Sequence, residues 1–243
     1  MPVALVTGSS RGLGAAIARR LAADGLAVAV NSRSDGCERV AADIAASGGT
    51  AAAFPADVTD PDAVGTLVAA VAARLGPIDV LVLNATGPQP VVSLEETASD
   101  LHDDMLAFFV HSPVLLGKAV LPGMRERGGG RIVHVDSEVT DKPPRGMTAY
   151  VTAKAAQLGL MRSWARDLAP DGITVNAVAP GWIPVERHED APAEVRAAYI
   201  AEVPAGHFGT PDDVAAAVSF FVSQDAGFIT GQRIVVDGGR GLT

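Results

Sequence analysis

Ser137, Tyr150 and Lys154 are the residues whose types and spacing could do chemistry. Tyr150 and Lys154 are four residues apart in Thr148–Leu168, a stretch of helical periodicity, so both project from one helix face. Ser137 follows the apolar run Arg131–Asp136, 13 residues before the tyrosine. A phenol can exchange a proton with an oxygen atom, but its unperturbed pKa of about 10 makes it a poor donor near neutrality. A nearby ammonium favours the phenolate and is expected to lower that pKa. A hydroxyl at a strand end can hydrogen-bond the reacting oxygen and orient it. Taken singly, Tyr150 reads as a half-buried aromatic and Lys154 as a surface charge. Lysine is scarce, however: Lys118, Lys142 and Lys154 stand against sixteen arginines, so a retained lysine points to work that arginine cannot do.

These groups need a scaffold. Val3–Thr7, Ala27–Asn31, Ala51–Pro55, Val80–Asn84, Arg131–Asp136, Thr174–Ala179 and Arg233–Val236 read as buried strands. Leu13–Asp24, Gly36–Ser47, Pro61–Leu75, Thr97–Arg127, Thr148–Leu168 and Pro211–Ser223 have helical spacing. Alternation of this kind implies βαβ units, a parallel sheet covered on both faces and a doubly wound α/β fold. The first strand ends in Thr7-Gly8-Ser9-Ser10-Arg11-Gly12-Leu13-Gly14 and opens the first helix. Glycines there let the backbone approach a pyrophosphate, which the free N–H groups and positive dipole end of the helix would hold. The alternative is an ordinary βα turn.

Composition narrows the function further. With 243 residues, 48% of them hydrophobic, the chain can build one sizeable core, and it reads as a single domain, 1–243. The mean hydropathy is +0.26, yet no uninterrupted apolar run approaches the ~18–20 residues of a spanning helix. A net charge of −9 argues against nucleic-acid binding. The lone Cys37 excludes an internal disulfide and a cysteine zinc cluster, and the five histidines show no metal spacing, so no metal is expected. No basic-then-apolar leader precedes Val3, and a cytoplasmic location is the expectation. His134 alternates with Val133 and Val135 and reads as an outward strand residue. Pro184–Gly206, rich in proline and charge, interrupts the pattern and reads as a candidate lid.

The glycine spacing, together with the Ser137, Tyr150 and Lys154 pattern, resembles the short-chain dehydrogenase/reductase family over Val3–Gly239. The resemblance implies a seven-stranded sheet in the order 3-2-1-4-5-6-7. It implies a cofactor site at Gly8, Ser10, Arg11, Gly12, Leu13 and Gly14, with Asp57 and Val58 at the adenine and with Asn84, Ala85 and Gly87, at the end of the fourth strand, approaching the cofactor. Pro180, Gly181 and Ile183 would hold the carboxamide, and Tyr150 and Lys154 would touch the cofactor as well as the substrate. Where NAD-dependent members carry an acid, this chain has Ser32 followed by Arg33. With Arg11, that arginine is placed to pair with a 2′-phosphate, so NADP(H) is the implied cofactor. Carbonyl reduction to a secondary alcohol is the implied reaction.

Two positions depart from the family pattern. Phe109 stands where an Asn is common; that Asn is thought to bend the helix and seat a water that relays protons to the lysine, and a phenyl ring can do neither. Val185, after Pro184, replaces a frequent Thr. Among family members the chain is most similar to the 3-oxoacyl-(acyl-carrier-protein) reductases and polyketide ketoreductases. Arg125, Arg127 and Arg131 are a candidate dock for an acidic carrier protein, although Asp171 counts against it. Asp136 and Glu138, flanking Ser137, would discourage a substrate carboxylate. A dehydrogenase of a small alcohol, sugar or steroid and a non-catalytic dinucleotide sensor are the rival readings. The segment Phe228-Ile229-Thr230-Gly231-Gln232 resembles the family's tetramer-forming tail, and a homotetramer is expected.

Overall fold

A computed structural model describes residues 1–242. Strands β1 (Val3–Val6), β2 (Ala27–Ser32), β3 (Thr50–Pro55), β4 (Ile78–Leu83), β5 (Gly130–Val135), β6 (Ile173–Pro180) and β7 (Arg233–Val236) form one sheet. Its order is β3-β2-β1-β4-β5-β6-β7, and every neighbouring pair is parallel. The helices are α1 (Gly12–Ala23), α2 (Gly36–Ala46), α3 (Pro61–Arg74), α4 (Ser99–Leu106), α5 (Ser112–Glu126), α6 (Thr148–Leu168), α7 (Ala193–Ala201) and α8 (Pro211–Val222). Apolar side chains of α1, α2 and α8 share one core with one face of the sheet; those of α3, α5 and α6 share a second core with the other. Both faces being covered, the strands are apolar at nearly every position rather than at alternate ones.

That covering corrects the reading of His134. The residue is fully buried on β5, with its ring edge-on to Trp164 of α6 at 5.7 Å, and neither ring nitrogen has a hydrogen-bond partner. A strand covered on both faces has no outward side for alternation to reveal. Burial, and secondarily the charge of Lys154, pushes its pKa down to about 3.

The long helical segment between β4 and β5 is also not continuous. Between α4 and α5 the chain makes a π-helical turn, Ala107–His111, with the Ser112 N–H bonded back to the Ala107 carbonyl. The backbone therefore departs from α geometry at the very place where Phe109 stands, so an asparagine is not needed for a distortion there. An extra residue in the turn widens it, and the buried ring of Phe109 fills the space beneath. Ser99–Glu126 is long and apolar enough to qualify as a spanning helix by composition alone, but Met105, Phe109, Leu116, Val120 and Met124 are buried within the protein. The 184–206 segment carries a short 3-10 turn, Glu186–His188, and α7, a helix that periodicity does not reveal because none of its residues is fully buried.

Candidate active site

The turn after β1 is built for glycine. Gly8 has φ +63°, and a Cβ there would lie 2.7 Å from the Ala85 Cα. A Cβ on Gly14 would lie 2.4 Å from the Gly8 carbonyl oxygen and 2.5 Å from Asn84 Nδ2. Asn84 locks this arrangement: its side-chain amide donates to the carbonyls of Thr7 (2.9 Å) and Gly8 (3.0 Å). Its backbone N–H, and that of Ala85, donate to Thr7 Oγ1. The start of α1 thus opens at the carboxyl end of the sheet, and no side chain of Arg11 caps it. A tight glycine turn at a helix N-terminus fits a dinucleotide's phosphates.

The remaining positions assigned from sequence surround this turn. Ser10 lies against Gly36, whose Cβ would come 3.1 Å from its own, and Leu13 packs on the core beside α1. Ser32 is buried and donates to the Ser34 carbonyl. Arg33 is exposed, its guanidinium 5.8 Å above the Phe108 ring. Asp57 accepts from the Thr59 N–H (2.9 Å) and hydroxyl (2.7 Å). Burial works to raise its pKa, but those bonds and the charge of Arg33 hold the carboxyl below its usual value. Asp60 caps α3, its carboxylate accepting from the Asp62 and Ala63 N–H groups. Val58 is buried. A Cβ on Gly87 would meet the Phe108 ring at 2.5 Å. Pro180 ends β6, Gly181 donates to the Val236 carbonyl, and Ile183 is buried in the core.

Ser137, Tyr150 and Lys154 converge where β5 ends against α6. Ser137 hydrogen-bonds Tyr150, and its oxygen also accepts from the Val139 N–H at 3.4 Å. Tyr150 is 9% exposed, and its ring meets Phe109 edge-on at 5.5 Å. The buried Lys154 ammonium donates to the Val135 carbonyl (2.7 Å) and to Gln157 Oε1 (3.0 Å), 4.0 Å from the centre of the Phe109 ring.

This corrects the expectation that lysine lowers the tyrosine pKa. Burial dominates and pushes the phenol up to about 12; the Ser137 bond and the charge of Arg187 pull down, while Asp136 pushes up. Lysine's ammonium lies 5.8 Å from the tyrosine ring centre and is turned toward Val135 and Gln157. Burial pulls its own pKa down to about 7, against the opposing pull of Asp136 and with a further push from Arg187.

Asp136 and Glu138 are not free charges at the site mouth, contrary to the sequence reading. Arg233 binds Asp136 at 2.6 Å and also reaches Asp141 and the Ser137 carbonyl. Arg240 binds Glu138 at 2.9 Å and Glu202 at 2.8 Å. Tyr199 of α7 donates to Glu138 at 2.9 Å and accepts from the Trp182 N–H at 2.6 Å. One buried network therefore ties the residues beside Ser137 to the 184–206 segment and to the C-terminal strand. Sequence reasoning missed Tyr199, Arg233 and Arg240, since no local pattern marks a partner 61 to 102 positions away. Val185 does reach the glycine turn, where Glu186 accepts from the Gly12 N–H at 3.4 Å. The proposed carrier dock is largely occupied internally: Arg125 pairs with Asp171 (2.7 Å), and Arg127 with Asp79 (3.0 Å) and the Ile78 carbonyl.

Comparison with known proteins agrees with this geometry. Residues 8–240 match a family model described as enoyl-(acyl carrier protein) reductase. The 3-oxoacyl-[acyl-carrier-protein] reductase of Vibrio cholerae is 38% identical, covering 98% of this chain and 96% of its own. The cis-4-hydroxycyclohexanecarboxylate dehydrogenase of Sinomonas cyclohexanicum is also 38% identical, covering 98% and 95%. A gluconate 5-dehydrogenase from Burkholderia cenocepacia, solved with NADP and tartrate, superposes with a TM-score of 0.93 at 30% identity, covering 100% of this chain and 96% of its own. Fold, glycine turn and full-length similarity together make this chain a member of the short-chain dehydrogenase/reductase family of oxidoreductases.

Proposed function

We propose that the protein is an NADP(H)-dependent reductase that converts a ketone to a secondary alcohol. The observation that carries this reading is the convergence of Ser137, Tyr150 and Lys154 beside the glycine turn. When bound, the nicotinamide supplies a hydride to the carbonyl carbon. Ser137 orients the carbonyl oxygen and Tyr150 gives it a proton. Lys154 supplies a buried positive charge 5.8 Å from the Tyr150 ring centre, although burial dominates the phenol's own pKa. Arg33 and Arg11 favour the 2′-phosphate, with Ser32 offering no carboxylate to repel it. The 184–206 segment acts as a lid on a single 1–243 domain. The enzyme works as a cytoplasmic homotetramer, and the exposed Phe220, Phe228 and Leu242 supply apolar surface for that assembly.

For the substrate, a 3-oxoacyl thioester is the first class to test, given the similarity to acyl-carrier-protein reductases. The internal pairing of Arg125 and Arg127 favours a second reading, a small free ketone that needs no carrier. NADPH oxidation against a panel of ketones and 3-oxoacyl thioesters tests the reading. Activity must vanish in Tyr150→Phe; full activity in that variant refutes the mechanism. Light scattering tests the assembly, and a monomer mass at micromolar concentration refutes it.

A further inference from the structure

The lysine has an unusual seat. Its ammonium is buried between three groups from three elements: the Val135 carbonyl at the end of β5, the Gln157 amide one turn on along α6, and the ring of Phe109 on the π-helical turn. Gln157 is itself 2% exposed, so its amide oxygen is not competed for by solvent. A buried ammonium needs such acceptors, because burial disfavours its charged form. Phe109 adds its negative ring face but no proton acceptor, and its bulk occupies the space beneath the charge.

We propose that Gln157 is a positioning residue that, together with the Val135 carbonyl and with Phe109 behind it, keeps the buried Lys154 ammonium charged and fixes its seat beside Tyr150. This rests on the reading that Lys154 serves Tyr150. It assigns to a side chain of α6 the orienting work for which no polar group exists at position 109. Other charges around the lysine come from β5 and the lid segment: Asp136 favours its protonated form, while Arg187 disfavours it. His134, buried on β5, feels the lysine charge and is neutral near pH 7. Tyr150 is the titratable neighbour on its own helix, and His111 at the far end of the π-helical turn is exposed to solvent. Among the described residues, Gln157 is the one whose side chain is hydrogen-bonded to the ammonium.

The test compares Gln157→Leu and Gln157→Glu with the unaltered enzyme, each measured as kcat against pH for NADPH-driven ketone reduction. Reduction needs the lysine charged, so activity falls as pH rises through its pKa. Removing the acceptor in Gln157→Leu should move that alkaline limb down by about one to two pH units, equivalent to losing a hydrogen bond to a buried charge. At pH 7 this means a kcat loss of roughly fivefold to fiftyfold, with the KM for NADPH unchanged. Gln157→Glu should move the limb the other way, since a carboxylate favours the ammonium. A merely structural role for Gln157 does not produce opposite shifts. Should Gln157→Leu fail to fold, Gln157→Asn, whose shorter side chain withdraws the oxygen, gives the same downward shift. Unmoved limbs in all variants, together with an inactive Lys154→Met, overturn the role of Gln157 alone. Full activity in Lys154→Met overturns the underlying reading of the site, and the proposal with it.

Discussion

Replacing Phe109 with asparagine restores the residue common in the family at a place where this fold has built around a ring. The ring is 1% exposed, meets Tyr150 edge-on at 5.5 Å and lies 4.0 Å from the Lys154 ammonium. Truncating a buried phenylalanine costs about 3–5 kcal/mol through lost burial and the cavity left behind. The new amide, if unpaired, adds about 1–3 kcal/mol. A hydrogen bond from the lysine ammonium to its oxygen offsets this by about 1.5–3 kcal/mol. The two polar contributions nearly cancel, so Phe109→Asn should destabilise the protein by about 3–5 kcal/mol, dominated by lost packing. In a chain of 243 residues each kcal/mol lowers Tm by roughly 2–4 °C, so the melt should fall by roughly 6–20 °C. Turnover should change only modestly, because proton resupply to the lysine does not set the rate; the donor pKa and positioning do. Thermal melts by circular dichroism and steady-state NADPH oxidation decide the matter. An unchanged melt would show that the packing argument is wrong, and a hundredfold gain in kcat would show that the missing amide limits the natural enzyme.

Three further predictions follow from the same geometry. Arg33→Asp should reverse the preference for NADPH over NADH, measured by calorimetry; tighter NADH binding by the unaltered protein sinks the arginine argument. Glu186→Gln should tighten NADPH binding severalfold, because the Glu186 carboxylate sits on the Gly12 N–H at the phosphate turn; equal or weaker binding counts against that contact. His134 has a folded-state pKa near 3, below its unfolded value of 6.5, so the unfolded chain binds the extra proton between those values and stability falls as pH drops through that window. Urea unfolding of His134→Leu should lack this contribution, on the order of 1 kcal/mol per pH unit, and identical acid slopes in the two proteins would refute it.

Sequence alone determined the seven strands, most of the helices and much of the local site. Continuous apolar runs such as Val28–Val30 and the 3.6-residue period of Thr148–Leu168 are short-range signals, and they placed the strands of the doubly wound sheet and put Tyr150 and Lys154 on one helix face. Glycines at 8 and 14 were legible because a tight turn has a sterically defined requirement. Tertiary structure alone decided what surrounds those groups. Arg233 and Arg240 neutralise Asp136 and Glu138 from about a hundred residues away, a pairing that only the order of β5, β6 and β7 can produce. Periodicity could not tell that His134 is buried, because a strand covered on both faces has no solvent side. Nor could it tell that the lysine turns toward Val135 and Gln157, because the rotamer of a long flexible side chain is chosen by the acceptors that packing brings within reach.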